Sequence, residues 1–593
     1  MLPFLQRLRQ RKIFQWAIAY AATAWLTLEV FDLVAEQFFW PVWIRQAATI
    51  LLLFGLLITI VLAWYHGERG RQKVGVIELI LLVALLSLGA QSVWYVRDRN
   101  PTAEPIAEPA ARYFRPEPLP ANSVAVLPCM NLSKDENQAY FADGLASELI
   151  TRLATVSGLR IPSHRSSFSF RGSQVSIEEI AVSLKVRHVL ECDVSGDDSR
   201  LRVAARLIDA ESGYTLWSES YNYTRDRLFD VQQDVAQAVV RSLEIELAGR
   251  ERQLVNRRWT ENMEAYDEFL QAIPHQLRFP TREGVADAEK HLKRAIELDP
   301  QFGRAYARFA VNWIIVGNYQ FGPASEAYDR AEQLANKAIE LDNELFEAYW
   351  ALGWAEFVGN YAWQAAERNF RKAIELAPGE WAGYHSLGFV HGVLGRIEEG
   401  LEAARIAVNL DPLAYWPRVG LDALLTRKRD FGAAAGLVRE EGEKYGWNPM
   451  VRSRYALLLA HDGRYEEARN QLARVEAAAP QDAHTQLYFA AAIATLGEHE
   501  KALEIAETWS EQRFHPGEPL WIGLLAAIYA TVGEQERAMQ YLYESRARHE
   551  MWMMFLDGPD FDTLRGNPRF AELVRELKLP EEYYLQIAHR PSS

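Results

Sequence analysis

The pattern of apolar and polar positions changes character twice along the chain. Through the first hundred residues apolar side chains run almost unbroken in three stretches, residues 13–33, 47–65 and 74–96. Each is close to the roughly 20 residues a helix needs to cross about 30 Å of hydrocarbon. In lipid the backbone must satisfy its own hydrogen bonds, so this pattern predicts three transmembrane helices within residues 13–97. Trp16 and Trp25 inside the first stretch, and two further stretches behind it, argue against a cleaved signal peptide. Arg7, Arg9, Arg11 and Lys12 precede the first stretch, and Arg69, Arg71 and Lys73 separate the second from the third; Arg45, Arg97 and Arg99 fall on the other side. That asymmetry predicts an inner-membrane protein with residues 1–12 in the cytoplasm and everything after about residue 97 in the periplasm. Glu29 and Asp32 lie near the outer end of the first stretch. They read either as interfacial acids within reach of water or as functional groups of the span. So short a segment ahead of the first stretch predicts no cytoplasmic output domain in this chain.

Residues 98–121 hold Pro101, Pro105, Pro109, Pro116, Pro118 and Pro120, the composition of a semi-rigid extended spacer. From Ser123 the periodicity alternates between two and 3.6. Strands are predicted at 124–127, 159–162, 189–194, 201–208 and 215–220, and helices at 144–155, behind Asp143 as cap, and at 230–247. Ser176 followed by Glu179 has the form of a capping box for another helix. Residues 122–249 therefore predict one small α/β domain.

Beyond residue 262 the pattern becomes periodic. Gly395, Arg429, Gly463 and Gly497 recur at 34-residue steps, and five residues after each stands a small residue: Gly400, Ala434, Ala468 and Ala502. The segments closing successive units are alike: Ala295-Ile-Glu-Leu-Asp-Pro300, Ala338-Ile-Glu-Leu-Asp342, Ala373-Ile-Glu-Leu-Ala-Pro378 and Ala407-Val-Asn-Leu-Asp-Pro412. A 34-residue repeat of this kind is the signature of tetratricopeptide helical hairpins, which must stack to bury their apolar faces. About eight hairpins are predicted over residues 262–550, with an inserted loop at 318–326 and a cap and tail at 551–593. The predicted fold class is mostly α: three transmembrane helices, a small α/β domain and a tetratricopeptide solenoid. In this repeat family the first helix of each hairpin lines the inner groove. Aligning Leu352-Gly353 and Leu387-Gly388 with the repeat puts Trp350, Trp354, Phe357, His385 and Phe389 there as candidate anchors for a protein segment, or as packing between hairpins.

The net charge of −15 and the absence of a basic stripe exclude nucleic acid as a partner. No phosphate loop, nucleophile elbow or paired-histidine zinc helix occurs, and Asp557, Asp560 and Asp562 read as turn-capping acids. No catalytic, cofactor or metal site is predicted, and the chain is expected not to be an enzyme.

The segments Ser123-Val-Ala-Val-Leu-Pro128, Asn131-Leu-Ser133, Tyr140-Phe-Ala-Asp-Gly-Leu145, Val189-Leu-Glu191, Leu207-Ile-Asp-Ala210 and Leu216-Trp217 resemble the TolB-like or FlgO-like domain. Bacterial proteins similar to this often carry that domain ahead of tetratricopeptide repeats. The N-terminal Arg-Lys-Ile-Phe and Ala-Tyr-Ala-Ala-Thr-Ala-Trp resemble the membrane module found with it. Some relatives are labelled adenylate cyclases or transmembrane transcription regulators; those activities belong to N-terminal domains this chain is expected to lack. Two departures stand out. Cys129 replaces the Phe usual after Leu-Pro, and Cys192 the Gly usual after Leu-Glu. They read either as a disulfide, which an oxidising compartment permits, or as two buried thiols. The resemblance and the repeats together imply a scaffold or adaptor that binds proteins through its groove, or else a sensor acting through its membrane helices on a cytoplasmic partner.

Overall fold

The computed structural model describes residues 42–66 and 119–586, except 134–138, 197–199, 225–226, 278–279 and 512–521, together with 19–20, 23–24, 27–28, 79, 81, 83–89 and 91–92. It divides into two units, Met1–Glu108 and Pro109–Ser593. In the first, helix α1 (Val42–His66) covers the second apolar stretch, and Tyr20 donates its hydroxyl to the Leu52 carbonyl at 3.0 Å. Among the described residues no helix is long and apolar enough to cross a membrane. This corrects the expectation of three transmembrane helices: α1 begins at Val42, carries Arg45 and Gln46 in its first turns and closes on Tyr65 and His66. Most of stretches 13–33 and 74–96 lies outside the described residues, as do residues 1–12, Glu29, Asp32 and most of the spacer at 98–121.

The α/β domain of the second unit is built on one sheet. Strand β1 (Val124–Val126) and the short β2 (Met130–Asn131) both pair in parallel with β3 (His188–Gly196). β3 pairs antiparallel with β4 (Arg200–Asp209), and β4 with β5 (Thr215–Thr224). The period-two alternation splits the core. Val124 and Val126 join Leu190, Cys192 and Val203 beneath α2 (Ala139–Ala154) and the later helix at Leu228–Ser242. Ala125 and Val189 face the other way, against α4 (Ile177–Leu184), while Phe168 of the short α3 (His164–Phe168) packs on the first cluster. Ser176 caps α4 through a reciprocal pair, the Glu179 amide donating to Ser176 Oγ at 3.3 Å and the Ser176 amide to Glu179 Oε2 at 3.1 Å. Two local expectations change. Asp143 lies inside α2 rather than capping it, and pairs with Arg171. The strand expected at 159–162 is reduced to a bridge between Arg160 and Ser123. We number the Leu228–Ser242 helix α5 and its successor, Gly249–Val255, α6.

Eight helical hairpins follow among the described residues: α7/α8 (Met263–Leu277, Arg282–Leu298), α9/α10 (Gly303–Asn318, Ala324–Leu341), α11/α12 (Phe346–Trp354, Trp363–Leu376) and α13/α14 (Trp381–Val393, Ile397–Leu410). Then come α15/α16 (Tyr415–Lys428, Phe431–Tyr445), α17/α18 (Pro449–His461, Tyr465–Ala478), α19/α20 (Ala483–Thr495, His499–Glu511) and α21/α22 (Ile522–Thr531, Gln535–Ala547). The four positions spaced by 34 all end a first helix with positive φ: Gly395 at 75°, Arg429 at 70°, Gly463 at 77° and Gly497 at 86°. That left-handed stop is where glycine is cheapest. The small residues five positions on are buried, and a Cβ on Gly400 would meet the Gly388 carbonyl oxygen at 3.0 Å. Close helix approach, not chance, sets that position.

The C-terminal segment folds back on the array. It comprises the tight turns Met551–Met554 and Pro559–Leu564 and helices α23 (Pro568–Glu576) and α24 (Glu581–Gln586). Arg427 Nε donates to Asp557 at 2.7 Å with both side chains buried, Arg429 forks onto Asp562 with two bonds of 2.6 Å, and Asp560 reaches His461 at 3.1 Å. Trp363 Nε1 donates to the Leu577 carbonyl at 2.8 Å. The three acids that read as turn caps are thus clasps between distant parts of the solenoid.

Candidate functional site: the junction of the α/β domain with the solenoid

Of the aromatic residues expected on the inner groove, Trp350 alone keeps a partly exposed ring. Trp354 and Phe389 are almost fully buried, Phe357 fully, and His385 is 6% exposed. Trp354 lies in edge contact with Phe357, Phe370 and Phe389, at centroid distances of 5.8, 6.1 and 6.5 Å. Trp350 and Trp354 both donate to Ser386 Oγ, at 3.1 and 2.9 Å. Phe357 sits in a π-helical turn, Ala355–Gly359, that widens the end of α11. The middle and end of α13 are surrounded: every residue from His385 to Val393 is buried, whereas Trp381, Ala382 and Tyr384 at its start are partly exposed.

A different constellation stands at the solenoid edge formed by the turns between successive hairpins. The aspartates that close the repeat units hold the α/β domain and its connecting segment. Asp299 accepts from Thr260 Oγ1 at 2.5 Å, Asp342 pairs with Arg257 at 2.8 Å, and Asp411 accepts from the Ser163 amide at 3.1 Å and Ser166 Oγ at 2.5 Å. In the hairpin that lacks the aspartate, Gly379 takes its place. Its amide donates to the Ala154 carbonyl at 3.0 Å, and a Cβ there would lie 2.9 Å from the Leu159 carbonyl oxygen.

Behind that edge lies a buried charge network. Arg304 on α9 contacts Glu148 on α2 at 2.5 Å and Glu347 on α11 at 3.3 Å, with no more than 5% exposure on any of the three side chains. Trp259 donates Nε1 to the same Glu148 oxygen at 3.0 Å and stacks under the Arg304 guanidinium at 4.4 Å. Burial raises the Glu148 carboxyl, and Arg304 and Arg152 more than reverse this, leaving it below the usual carboxylate range. Burial takes the His164 imidazole down to about 4, although its Nε2 lies 2.9 Å from the Ser147 carbonyl. Burial, with Asp411 adding repulsion, pushes Glu380 up to about 7. Sequence reasoning missed this network; its only trace was the repeated Leu-Asp-Pro.

Cys129 and Cys192 are joined, with Cα atoms 4.6 Å apart. β1 and β2 both run along β3, Val126 opposite Leu190 and Met130 opposite Asp193, so one extra residue bulges out beside Pro128 and sets Cys129 against Cys192. Among the described residues no group of three or more histidine, cysteine, aspartate or glutamate side chains is arranged to hold a metal ion.

No family model matches the chain. A protein of Rhizobium meliloti (strain 1021) named "Putative adenylate cyclase 3" is 32% identical over 268 residues, 44% of this chain and 44% of that protein. The chain thus spans less than half the length of that relative. A reading that sets enzymes aside does not stand beside a relative of that name, and the expectation is corrected accordingly. Among solved structures, PilF of Pseudomonas aeruginosa is 17% identical, covering 38% of this chain and 97% of its own, with a TM-score of 0.30. A tetratricopeptide repeat protein from Parabacteroides merdae ATCC 43184 is 10% identical over 46% of this chain and 99% of its own, with a TM-score of 0.34. The helical-repeat class of the solenoid rests on the chain's own 34-residue period and its stacked hairpins.

Proposed function

We propose that the chain is a protein-binding scaffold whose solenoid, braced along its turn edge by the α/β domain, presents its first helices to a partner. The observation that carries this reading is that Trp350, Trp381 and Trp416 lie half-buried on three successive first helices, α11, α13 and α15. Partly exposed tryptophans are favoured anchors for a bound protein segment. The α/β domain is of the TolB-like or FlgO-like kind in this reading, supported by the motifs around Ser123, Tyr140 and Leu207. The Cys129–Cys192 pairing supports an oxidising compartment outside the bacterial cytoplasm, on the periplasmic side. A photocrosslinking residue at Trp381 or Trp416 of the full chain tests the reading in cells. It should yield a discrete adduct that the same residue at exposed Ile406 does not; equal labelling from all three positions removes the scaffold reading.

The Rhizobium relative favours a second reading, in which the chain contributes to the conversion of ATP into cyclic AMP. Purified full chain incubated with ATP and Mg²⁺ or Mn²⁺ would release pyrophosphate and cyclic AMP. Failure to form either product, alone or with its crosslinked partner, rejects this second reading.

A further inference from the structure

The sheet of the α/β domain ends on β5, which pairs with β4 along one side only. Among the described residues, no backbone group from Thr215 to Thr224 bonds anything beyond β4. Seven of its ten residues are exposed, so the described helices and loops leave this edge uncovered. A bare edge is a template for another strand, and monomeric proteins blunt it with lysine, proline, brevity or a cover. β5 has none of these. It runs for ten residues, against a usual five or six. It reads Thr-Leu-Trp-Ser-Glu-Ser-Tyr-Asn-Tyr-Thr, with Glu219 its one charge. The irregularity in its pairing falls at its start, opposite Leu207 and Ile208, so residues 217–224 form a regular strand.

We propose that this edge is a homodimer interface, two copies of the chain pairing β5 against β5, antiparallel, about a two-fold axis at Ser220. Such an axis stands normal to the sheet and keeps every side chain on its own face, so it must pass through a residue. Three residues are central enough. Glu219 on the axis would set two carboxylates directly opposite each other, which is unfavourable. Tyr221 on the axis would set Glu219 opposite Tyr223, whose hydroxyl already donates to Asp234 at 2.5 Å, and so crowd two acids together. Ser220 on the axis avoids both. Glu219 then faces the partner's Tyr221, and within each copy it already accepts from its own Tyr221 hydroxyl at 3.0 Å. Trp217 faces Tyr223, each with its ring partly uncovered, and cross-strand aromatic pairs are favourable. On the open face Ser218 meets Asn222, and Ser220 meets itself. Arg202, 3.5 Å from Ser220 Oγ, is exposed and swings aside. The strand is thus compatible with its own reverse, which an edge meant for a foreign peptide need not be. The two five-stranded sheets become one. Nothing in this pairing depends on what the solenoid binds.

Sedimentation velocity of the full chain across a dilution series should show a monomer–dimer equilibrium. Ser220→Lys places like charges across the axis and should weaken the dimer by roughly fivefold. An equal mixture with the Ser220→Glu variant should restore it. The register is tested separately by crosslinking. Antiparallel partners lie about 4.5–5.5 Å apart at Cα, within reach of a disulfide. Ser220→Cys should therefore give a covalent dimer under a mild oxidant, the native cysteines being already paired. Asn222→Cys, exposed on the same face, would hold its two thiols roughly 14 Å apart along the strands and should give none. The proposal is overturned if the chain is monomeric at every concentration, or if Ser220→Lys leaves association unchanged. It is equally overturned if the mixture restores nothing, if Asn222→Cys crosslinks as readily as Ser220→Cys, or if the Ser220→Cys variant joins a different protein instead of its own copy.

Discussion

Glu148 and Arg304 meet 2.5 Å apart at a point where neither side chain reaches solvent, although 156 residues separate them in the chain. This pair ties the α/β domain to the second hairpin. Removing one partner leaves the other buried and uncompensated, which costs about 3–5 kcal/mol. Arg304→Met should therefore destabilise more than Glu148→Gln, since it strands Glu347 as well. Urea unfolding of the two variants measures the order, and equal midpoints would mean the pair is not desolvated as described.

The disulfide closes a loop with a sequence separation of 63. Loop-closure entropy alone makes that worth about 4 kcal/mol. Cys129→Ser, or reduction of the native chain, should lower the melting temperature of the α/β domain while the solenoid's helical signal melts later. Thiol labelling of unfolded, unreduced protein should find no reactive cysteine; two labelled thiols would contradict the pairing.

Trp354 and Trp350 distinguish core from surface. Trp354→Ala should cost about 3–5 kcal/mol, the usual loss for a large aromatic truncated in a core. Trp350→Ala, whose ring is partly exposed, should cost clearly less and act mainly on partner capture. Thermal melts of both variants separate the two roles.

Arg429 occupies a left-handed position that its repeat-mates fill with glycine. The strain is about 1–2 kcal/mol, offset by the fork onto Asp562. Arg429→Gly should be near neutral, whereas Arg429→Ala keeps the strain, loses the fork and should be less stable than the glycine variant by roughly 1 kcal/mol. Chemical denaturation ranks them; an alanine variant as stable as the glycine one would show that the backbone there is unstrained.

Glu550 accepts the Ile522 and Gly523 amides at 3.1 and 3.0 Å and Ser545 Oγ at 2.8 Å, and burial pushes its carboxyl up to about 7. Between its ordinary value of 4.5 and about 7 the folded state holds a proton the unfolded state lacks, so this group makes stability fall as pH rises through that window. His164, lowered to about 4, acts in the opposite sense between there and 6.5. Glu550→Gln should therefore steepen the rise of stability from pH 4.5 to 7, by at most about 1.4 kcal/mol per pH unit. An unchanged slope would show that the carboxyl is ionised throughout.

The repeats were legible because their contacts are local: Gly395, Gly463 and Gly497 mark left-handed stops, and Ala434, Ala468 and Ala502 mark close helix approach, all at fixed intervals. The inward and outward faces of the first helices were not. α13 is buried nearly all round, so Phe389 and His385 carry no periodic sign of which side is open. Glu148, Arg304 and Asp411 were invisible for another reason. Their partners lie in a separate domain, and a lone acid or arginine on a helix looks like any solvated charge until that domain is docked. Of the apolar N-terminal stretches, the second alone lies wholly within the described residues, and hydropathy alone overstated its ability to span a bilayer.

The return of the tail has a mechanical corollary. A row of stacked hairpins ordinarily behaves as a spring, free to stretch, coil and fray from its ends because each unit touches only its neighbours. With Asp557, Asp560 and Asp562 latched to Arg427, His461 and Arg429, and Leu577 to Trp363, this one behaves as a buckled strap. Its girth is set before any guest arrives, and loosening it anywhere means first undoing the buckle.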